Sequence, residues 1–275
     1  MNTQTITLYN GVRIPNIGLG VYKTKEGTEV KQAIKKSLET GYRMIDTASI
    51  YKNEIGVGEA IGESDIARED LFITTKLWND DQGYETTLKA FDLSLKKLKL
   101  DYIDLYLIHW PVYGKYVETY RAFEKLYQEG RARVIGVCNF HIHHLEHLMD
   151  NSDIKPMVNQ VELHPMLAQI ELRNFCQKEQ IQIEAWSPLM QGGEILENPI
   201  IKDIAKKYDK TPAQVILRWD IQNNIITIPK SITSSRIVEN FNLFDFSLTE
   251  EELQKINTLD CHKRVGTNPD KYDFV

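Results

Sequence analysis

Cysteine is scarce in this chain. Cys138, Cys176 and Cys261 are odd in number, widely spaced and never in a CxxC pair. That pattern excludes a disulfide framework and fits reduced thiols. No apolar run approaches the roughly 20 residues of a membrane span. A basic excess is also missing, with 33 Lys and Arg against 39 Asp and Glu and a net charge of −6. A sequence-independent grip on nucleic acid is therefore not expected. The first residues, MNTQTITLYNGVRIP, lack a basic segment followed by an apolar one. No secretory signal is expected, and cytoplasmic residence is. With 15 Gly and 9 Pro in 275 residues, collagenous and low-complexity chains are excluded too.

What is present is an alternation. Residues 6–15 predict a hairpin, with Asn10-Gly11 as a two-residue type I′ turn. Short apolar runs follow at 17–20, 42–46, 71–76, 103–109, 133–138, 157–160, 182–186 and 225–228. Each is rich in β-branched or aromatic residues and reads as a strand. Between them, residues 29–38, 84–98, 119–127, 143–149 and 170–178 carry helical patterns. Gly41 is a plausible stop for the first of these. Thr211-Pro212 opens a further helix, and Thr249 with Glu252 forms a capping box for the last. Lys96, Lys97 and Lys99 read as an exposed helix face. Eight strands alternating with helices, and no linker, predict one (β/α)8 barrel domain over 1–275, its hairpin across the bottom. The alternative is an open doubly wound sheet.

That alternative needs a glycine-rich phosphate loop after its first strand. Gly18-Leu-Gly20 is followed by Val21, Tyr22 and Lys23, so GxGxxG fails. After Gly56-Val-Gly58 the next glycine, Gly62, comes one position late, and no GxxxxGK[ST] occurs.

In a barrel, reactive groups gather at the C-terminal ends of the strands. Here those ends carry Asp46, Lys76, His109, Asn139, Asn159-Gln160, Trp186-Ser187 and Lys230-Ser231. Any one of them could be a locally satisfied polar group; all at one end of successive strands is a pattern. An ammonium is rarely buried unpaired, so Lys76 needs a partner, and Asp46 offers one. Tyr51 follows in the next loop. Its pKa near 10 makes it a sluggish acid alone, and a nearby Lys76 is expected to lower it. His109 would orient a carbonyl oxygen or share in proton transfer.

The chain closely resembles the aldo-keto reductases. The resemblance runs from NGVRIPNIGLG through GYRMIDTASIYKNE, LFITTKLWN, DYIDLYLIHWP, RVIGVCNF, NQVELHP and IPKSITSSRIVENF to FNLFDFSLT. It is similar in particular to bacterial glyoxal, methylglyoxal and 2,5-diketogluconate reductase-like members. The resemblance implies a (β/α)8 barrel that reduces carbonyls with NADPH. It puts the catalytic tetrad on Asp46, Tyr51, Lys76 and His109, with Tyr51 as general acid. It stacks nicotinamide on Trp186 and holds the carboxamide with Asn139 and Gln160, near Cys138, where the family usually has serine. Gly20, Val21 and Asp46 border that end of the cofactor, and Ser187 and Leu189 line the pyrophosphate path. The adenine end falls on Lys230, Ser231, Ile232, Thr233, Arg236, Glu239 and Asn240. There Lys230 and Arg236 would pair with the 2′-phosphate, which predicts NADPH over NADH. Tyr22, Tyr51, Trp78, His109 and Trp110 would face substrate. The segment 111–119 and the tail after Asp260 are short, which suggests an open pocket for small carbonyls such as methylglyoxal, glyoxal and aromatic aldehydes. Most family members of this type are monomers.

Other readings stay open from the residues alone. Lys76 could form a Schiff base in a lyase. The barrel could keep its cofactor and lack turnover, as a binding module. His141, His143, His144 and His147 form a cluster, and His143 and His147 have a spacing that can bind a divalent metal. The resemblance places only an exposed helix start there, and no metal is expected.

Overall fold

The computed structural model describes residues 4–271. Strands β1 (Thr5–Thr7) and β2 (Arg13–Pro15) pair antiparallel, with Thr7 opposite Arg13. The turn between them differs from expectation. Gly11 N–H donates to Leu8 O at 2.9 Å, Leu8 N–H donates to Val12 O, and only Gly11 has a positive φ, 83°. The loop is therefore the three-residue kind, in which one left-handed residue suffices. Asn10 stays right-handed because its side chain is employed elsewhere: Oδ1 accepts from Val12 N–H and Nδ2 donates to Arg133 O. Tyr9 Oη donates to Lys155 O, so the hairpin covers the strand beginnings, the bottom of the barrel.

Eight further strands build a parallel sheet. They are β3 (Leu19–Gly20), β4 (Met44–Asp46), β5 (Phe72–Leu77), β6 (Ile103–Ile108), β7 (Ala132–Cys138), β8 (Val158–Glu162), β9 (Gln182–Trp186) and β10 (Ile226–Thr227), each beside the next in sequence. Bridges from Ile17 to Thr227 and from Gly20 to Lys230 join the last strand to the first and close the (β/α)8 barrel. β5 and β6 are buried along their whole length, as strands covered on both faces must be.

Helices α1 (Thr28–Thr40), α2 (Glu54–Gly62), α3 (Tyr84–Leu98), α4 (Tyr116–Gln128), α5 (Ile142–Met149), α6 (Ile170–Lys178), α7 (Pro199–Lys207), α8 (Pro212–Gln222), α9 (Ser234–Phe241) and α10 (Glu250–Asn257) accompany the sheet. The caps are those expected: Gly41 ends α1 at φ 121°, and Thr211 and Thr249 make capping boxes with Gln214 and Glu252. Sequence patterning missed α2 and α7. The glycines of α2 hid it, and their use is steric. A Cβ on Gly58 would lie 2.3 Å from Leu98 O, so α2 packs directly on the end of α3. Lys97 and Lys99 reach back to Glu54 and Glu59 of α2 and form ion pairs there.

Pleating decides which side chains enter the barrel. In β5, Thr75 points out and donates to Glu54 Oε1 of α2 at 2.8 Å. Lys76 therefore points in. The same alternation brings Gln160 and Glu162 of β8 opposite Glu184 and Trp186 of β9.

Candidate active site

Lys76 is the organising group. It is 0% exposed, and its Nζ lies 2.6 Å from Asp46 Oδ1 and 2.9 Å from Thr47 O. Burial alone would lower its pKa, but Asp46, Tyr51 and Cys138 together raise it. The amine is a paired cation, which makes it a poor Schiff-base nucleophile. Asp46 Oδ2 accepts from Gln160 Nε2 at 2.8 Å, and the same amide donates to Glu184 Oε1 at 3.2 Å.

Glu184 escaped the sequence reading. It is fully buried, its Oε2 has no hydrogen-bond partner, and burial beside Asp46 pushes its pKa up to about 8. It is a neutral acid near pH 7. An acid inside an apolar strand was the available signal, the same one that drew attention to Lys76.

Tyr51 sits above this cluster, partly open to solvent, with Lys76 Nζ 5.1 Å from its ring centre. Its pKa differs from expectation. Lys76 does pull it down, but burial outweighs that pull and the net direction is up. Tyr51 is therefore protonated across the physiological range, as a proton donor must be. Its loop is held by Asn53, another residue the sequence reading passed over. The buried Asn53 amide donates to Val21 O and Thr24 O and accepts from Thr47 Oγ1 at 2.7 Å, tying the loops after β3 and β4 together.

His109 completes the group. Its ring centre is 5.8 Å from that of Tyr51 and 5.2 Å from that of Trp78. Burial first, and Lys76 second, push its pKa well below the usual histidine range, so it is a neutral imidazole. Nδ1 is buried without a partner. Tyr22, about half exposed, stacks 5.0 Å from Tyr51. Asp46, Tyr51, Lys76, His109, Tyr22 and Trp78 thus converge at one mouth. Trp110 follows His109, and its carbonyl accepts from Gln82. The segment after β6 is shorter than expected, because α4 already begins at Tyr116.

The other predicted residues border this mouth. Asn139 and Ser187 follow β7 and β9 with φ of 65° and 50°, a left-handed conformation that non-glycine residues adopt rarely. Asn139 Nδ2 donates to His109 O, and its Oδ1 accepts from Trp186 Nε1 at 2.9 Å. The Nε2 of Gln160 is engaged inside the barrel, so its oxygen is the part left to meet a ligand. Cys138 is buried beside the Lys76 cluster, and burial keeps it a thiol. Gly20 and Val21 lie at the barrel closure, where Gly20 N–H donates to Pro229 O and Val21 N–H to Asp46 O. Leu189 packs half-buried behind Ser187.

At the start of α9, Lys230, Ile232, Thr233 and Arg236 are exposed. Lys230 and Arg236 make no ion pair among the described residues. Thr233 gives α9 no side-chain cap, so its first-turn N–H groups face outward. Ser231 is buried and its Oγ accepts from Thr233 N–H. Asn240 is buried in the helix, and Glu239 accepts from Thr211 Oγ1.

The histidine cluster is not the pair that the spacing suggested. His147 Nδ1 meets Tyr116 Oη at 2.7 Å, away from His143. His141, His144 and Asp270 come together instead. Their lone pairs are engaged: His144 Nδ1 accepts from His141 N–H, and His141 bridges Asp270 to Arg264. This cluster fastens the C-terminal tail to α5. The tail is short, as expected, yet it is pinned across the ends of β8 and β9.

Residues 16–260 match the model of the Aldo/keto reductase family. The chain belongs to the aldo/keto reductase family. It is 57% identical over 270 residues to the glyoxal reductase of Bacillus subtilis, spanning 98% of both chains. It is 49% identical over 274 residues to the methylglyoxal reductase DkgA of Escherichia coli, again spanning 98% of each. Among solved structures, Gox0644 in complex with NADPH superposes with a TM-score of 0.94 at 42% identity, covering 99% of this chain and 100% of that one.

Proposed function

We propose that this chain is a single-domain, NADPH-dependent reductase of aldehydes and ketones, with small carbonyls such as methylglyoxal and glyoxal as substrates. One observation carries the reading: a sealed Lys76–Asp46 ion pair lies beneath Tyr51, with neutral His109 alongside at the mouth of the barrel. Relatives named glyoxal and methylglyoxal reductase, and a neighbour bound to NADPH, support the substrate and cofactor classes.

The residues present suit NADPH. Arg236 and Lys230, both exposed, stand at the uncapped start of α9, where outward N–H groups and a helix dipole favour an anion. Arg236 offers a planar fork for the 2′-phosphate. Trp186 offers a ring face for nicotinamide, and Asn139 and Gln160 offer amides for its carboxamide. When bound, NADPH supplies the hydride.

The chain itself handles the proton. Tyr51 Oη donates its proton to the carbonyl oxygen as negative charge grows there. Neutral His109 donates a second hydrogen bond to that oxygen and does not repel the Lys76 charge. Lys76 stabilises the phenolate left behind, and Asp46 keeps Lys76 in place. The aromatic collar of Tyr22, Trp78 and Trp110 shields the reacting carbon from water.

Loss of NADPH absorbance with methylglyoxal, glyoxal and aromatic aldehydes tests this directly. Turnover with at least one of them is expected. Tight NADPH binding with no turnover of any carbonyl would replace the reductase with a cofactor-binding module.

A further inference from the structure

Glu162 ends β8 one inward position above Gln160 and lies opposite Trp186 in the β8–β9 ladder. Its carboxyl group is only 1% exposed. What covers it is the C-terminal tail. Val265 N–H donates to Oε1 at 2.5 Å, and Gly266 N–H donates to Oε2 at 3.1 Å. His164 Nε2 stands 3.3 Å from Oε1, and Arg264 Nη1 stands 3.9 Å from Oε2. Two successive backbone donors thus converge on one carboxylate, with an arginine balancing its charge. Further along, Asp270 meets His141 Nδ1 at 2.8 Å, a second fastening of the same tail.

Gly266 is the point where the tail meets the indole. A Cβ built there would lie 2.3 Å from Trp186 Cη2 and 3.1 Å from Cζ3. Gly266 does not need a left-handed φ, so what excludes a side chain is contact alone. At the other end of the indole, Nε1 donates to Asn139 Oδ1. The ring is therefore held at both ends, by Asn139 and by the glycine that Glu162 anchors.

We propose that Glu162 is a positioning residue for the cofactor: by gripping the N–H groups of Val265 and Gly266 it clamps the tail against Trp186 and holds the indole ready to stack on nicotinamide. This rests on the reading of Trp186 as the nicotinamide platform. A carboxylate suits the task because both its oxygens accept. A carboxamide accepts through one and turns an N–H toward the other donor. Fixing the ring beforehand removes an ordering cost from binding.

The test is an equilibrium titration of NADPH on the full chain: wild type, Glu162→Gln, Gly266→Ala and Trp186→Ala, with the first two changes also made in the Trp186→Ala background. Losing a hydrogen bond to a charged group makes the expected weakening about tenfold in Kd for Glu162→Gln. Gly266→Ala should weaken NADPH in the same direction, with Glu162 left intact should the glutamine variant fold poorly. Neither change should weaken NADPH further once Trp186 is Ala, because the clamp acts only through the indole. Wild-type affinity in both Glu162→Gln and Gly266→Ala, beside weak binding by Trp186→Ala, would overturn the clamp and leave the platform standing. An equal loss in both backgrounds would also overturn it, since that is what a general structural role predicts. Wild-type affinity in Trp186→Ala would overturn the platform reading itself, and the clamp with it.

Discussion

Lys76 Nζ and Asp46 Oδ1 lie 2.6 Å apart with both side chains sealed from solvent, at 0% and 3% exposure. An ion pair so placed costs more to break than it adds when formed. Removing one partner leaves the other as an uncompensated buried charge, at about 3–5 kcal/mol. Lys76→Met should therefore lower stability by that order and abolish turnover. Asp46→Leu made together with Lys76→Met should recover much of the stability and none of the activity. Denaturant melts and rate assays on the single and double variants separate the two effects. Equal stability of the single and double variants would contradict the account.

Glu184 governs a pH dependence. Its folded pKa is pushed up to about 8, above its ordinary value of about 4.3. Between these values the folded protein holds a proton that the unfolded chain has lost, so stability falls as pH rises. The stabilising contribution is complete below the ordinary value and gone above about 8. Glu184→Gln keeps the Gln160 contact region uncharged. Its melting temperature relative to wild type should therefore climb steadily with pH through that window. A constant difference would mean that Glu184 is ionised in the folded protein at all these pH values.

Arg236 is exposed, so its contribution to a bound phosphate is screened. Arg236→Ala should raise the Kd for NADPH by roughly tenfold, from the lower end of the range for hydrogen bonds to charged groups. NADH binding should be almost unchanged, because NADH lacks the 2′-phosphate. Parallel titrations with the two nucleotides check this, and an equal loss for both would remove Arg236 from the phosphate site.

Much of this site was readable before any coordinates. Polar groups at successive strand ends located the mouth of the barrel, and the rule against lone buried ammonium groups paired Lys76 with Asp46. What stayed hidden depends on depth and on distant parts of the chain. The upward pKa of Tyr51 follows from burial, which spacing does not report. Glu184 and Glu162 look like surface acids until the pleat turns them inward. The grip of Glu162 on Val265 spans 103 positions, with no local pattern to announce it. The turn at Asn10 departed from expectation because its side chain found partners on neighbouring loop and strand.

The central claim is that Tyr51 delivers the proton. The measurement is the rate of carbonyl reduction by Tyr51→Phe beside wild type, with NADPH affinity titrated on the same samples. A general acid contributes typically 10²–10⁴-fold, so kcat should fall by about that much while the Kd for NADPH stays close to wild type. Turnover by the phenylalanine variant at the wild-type rate would contradict the account.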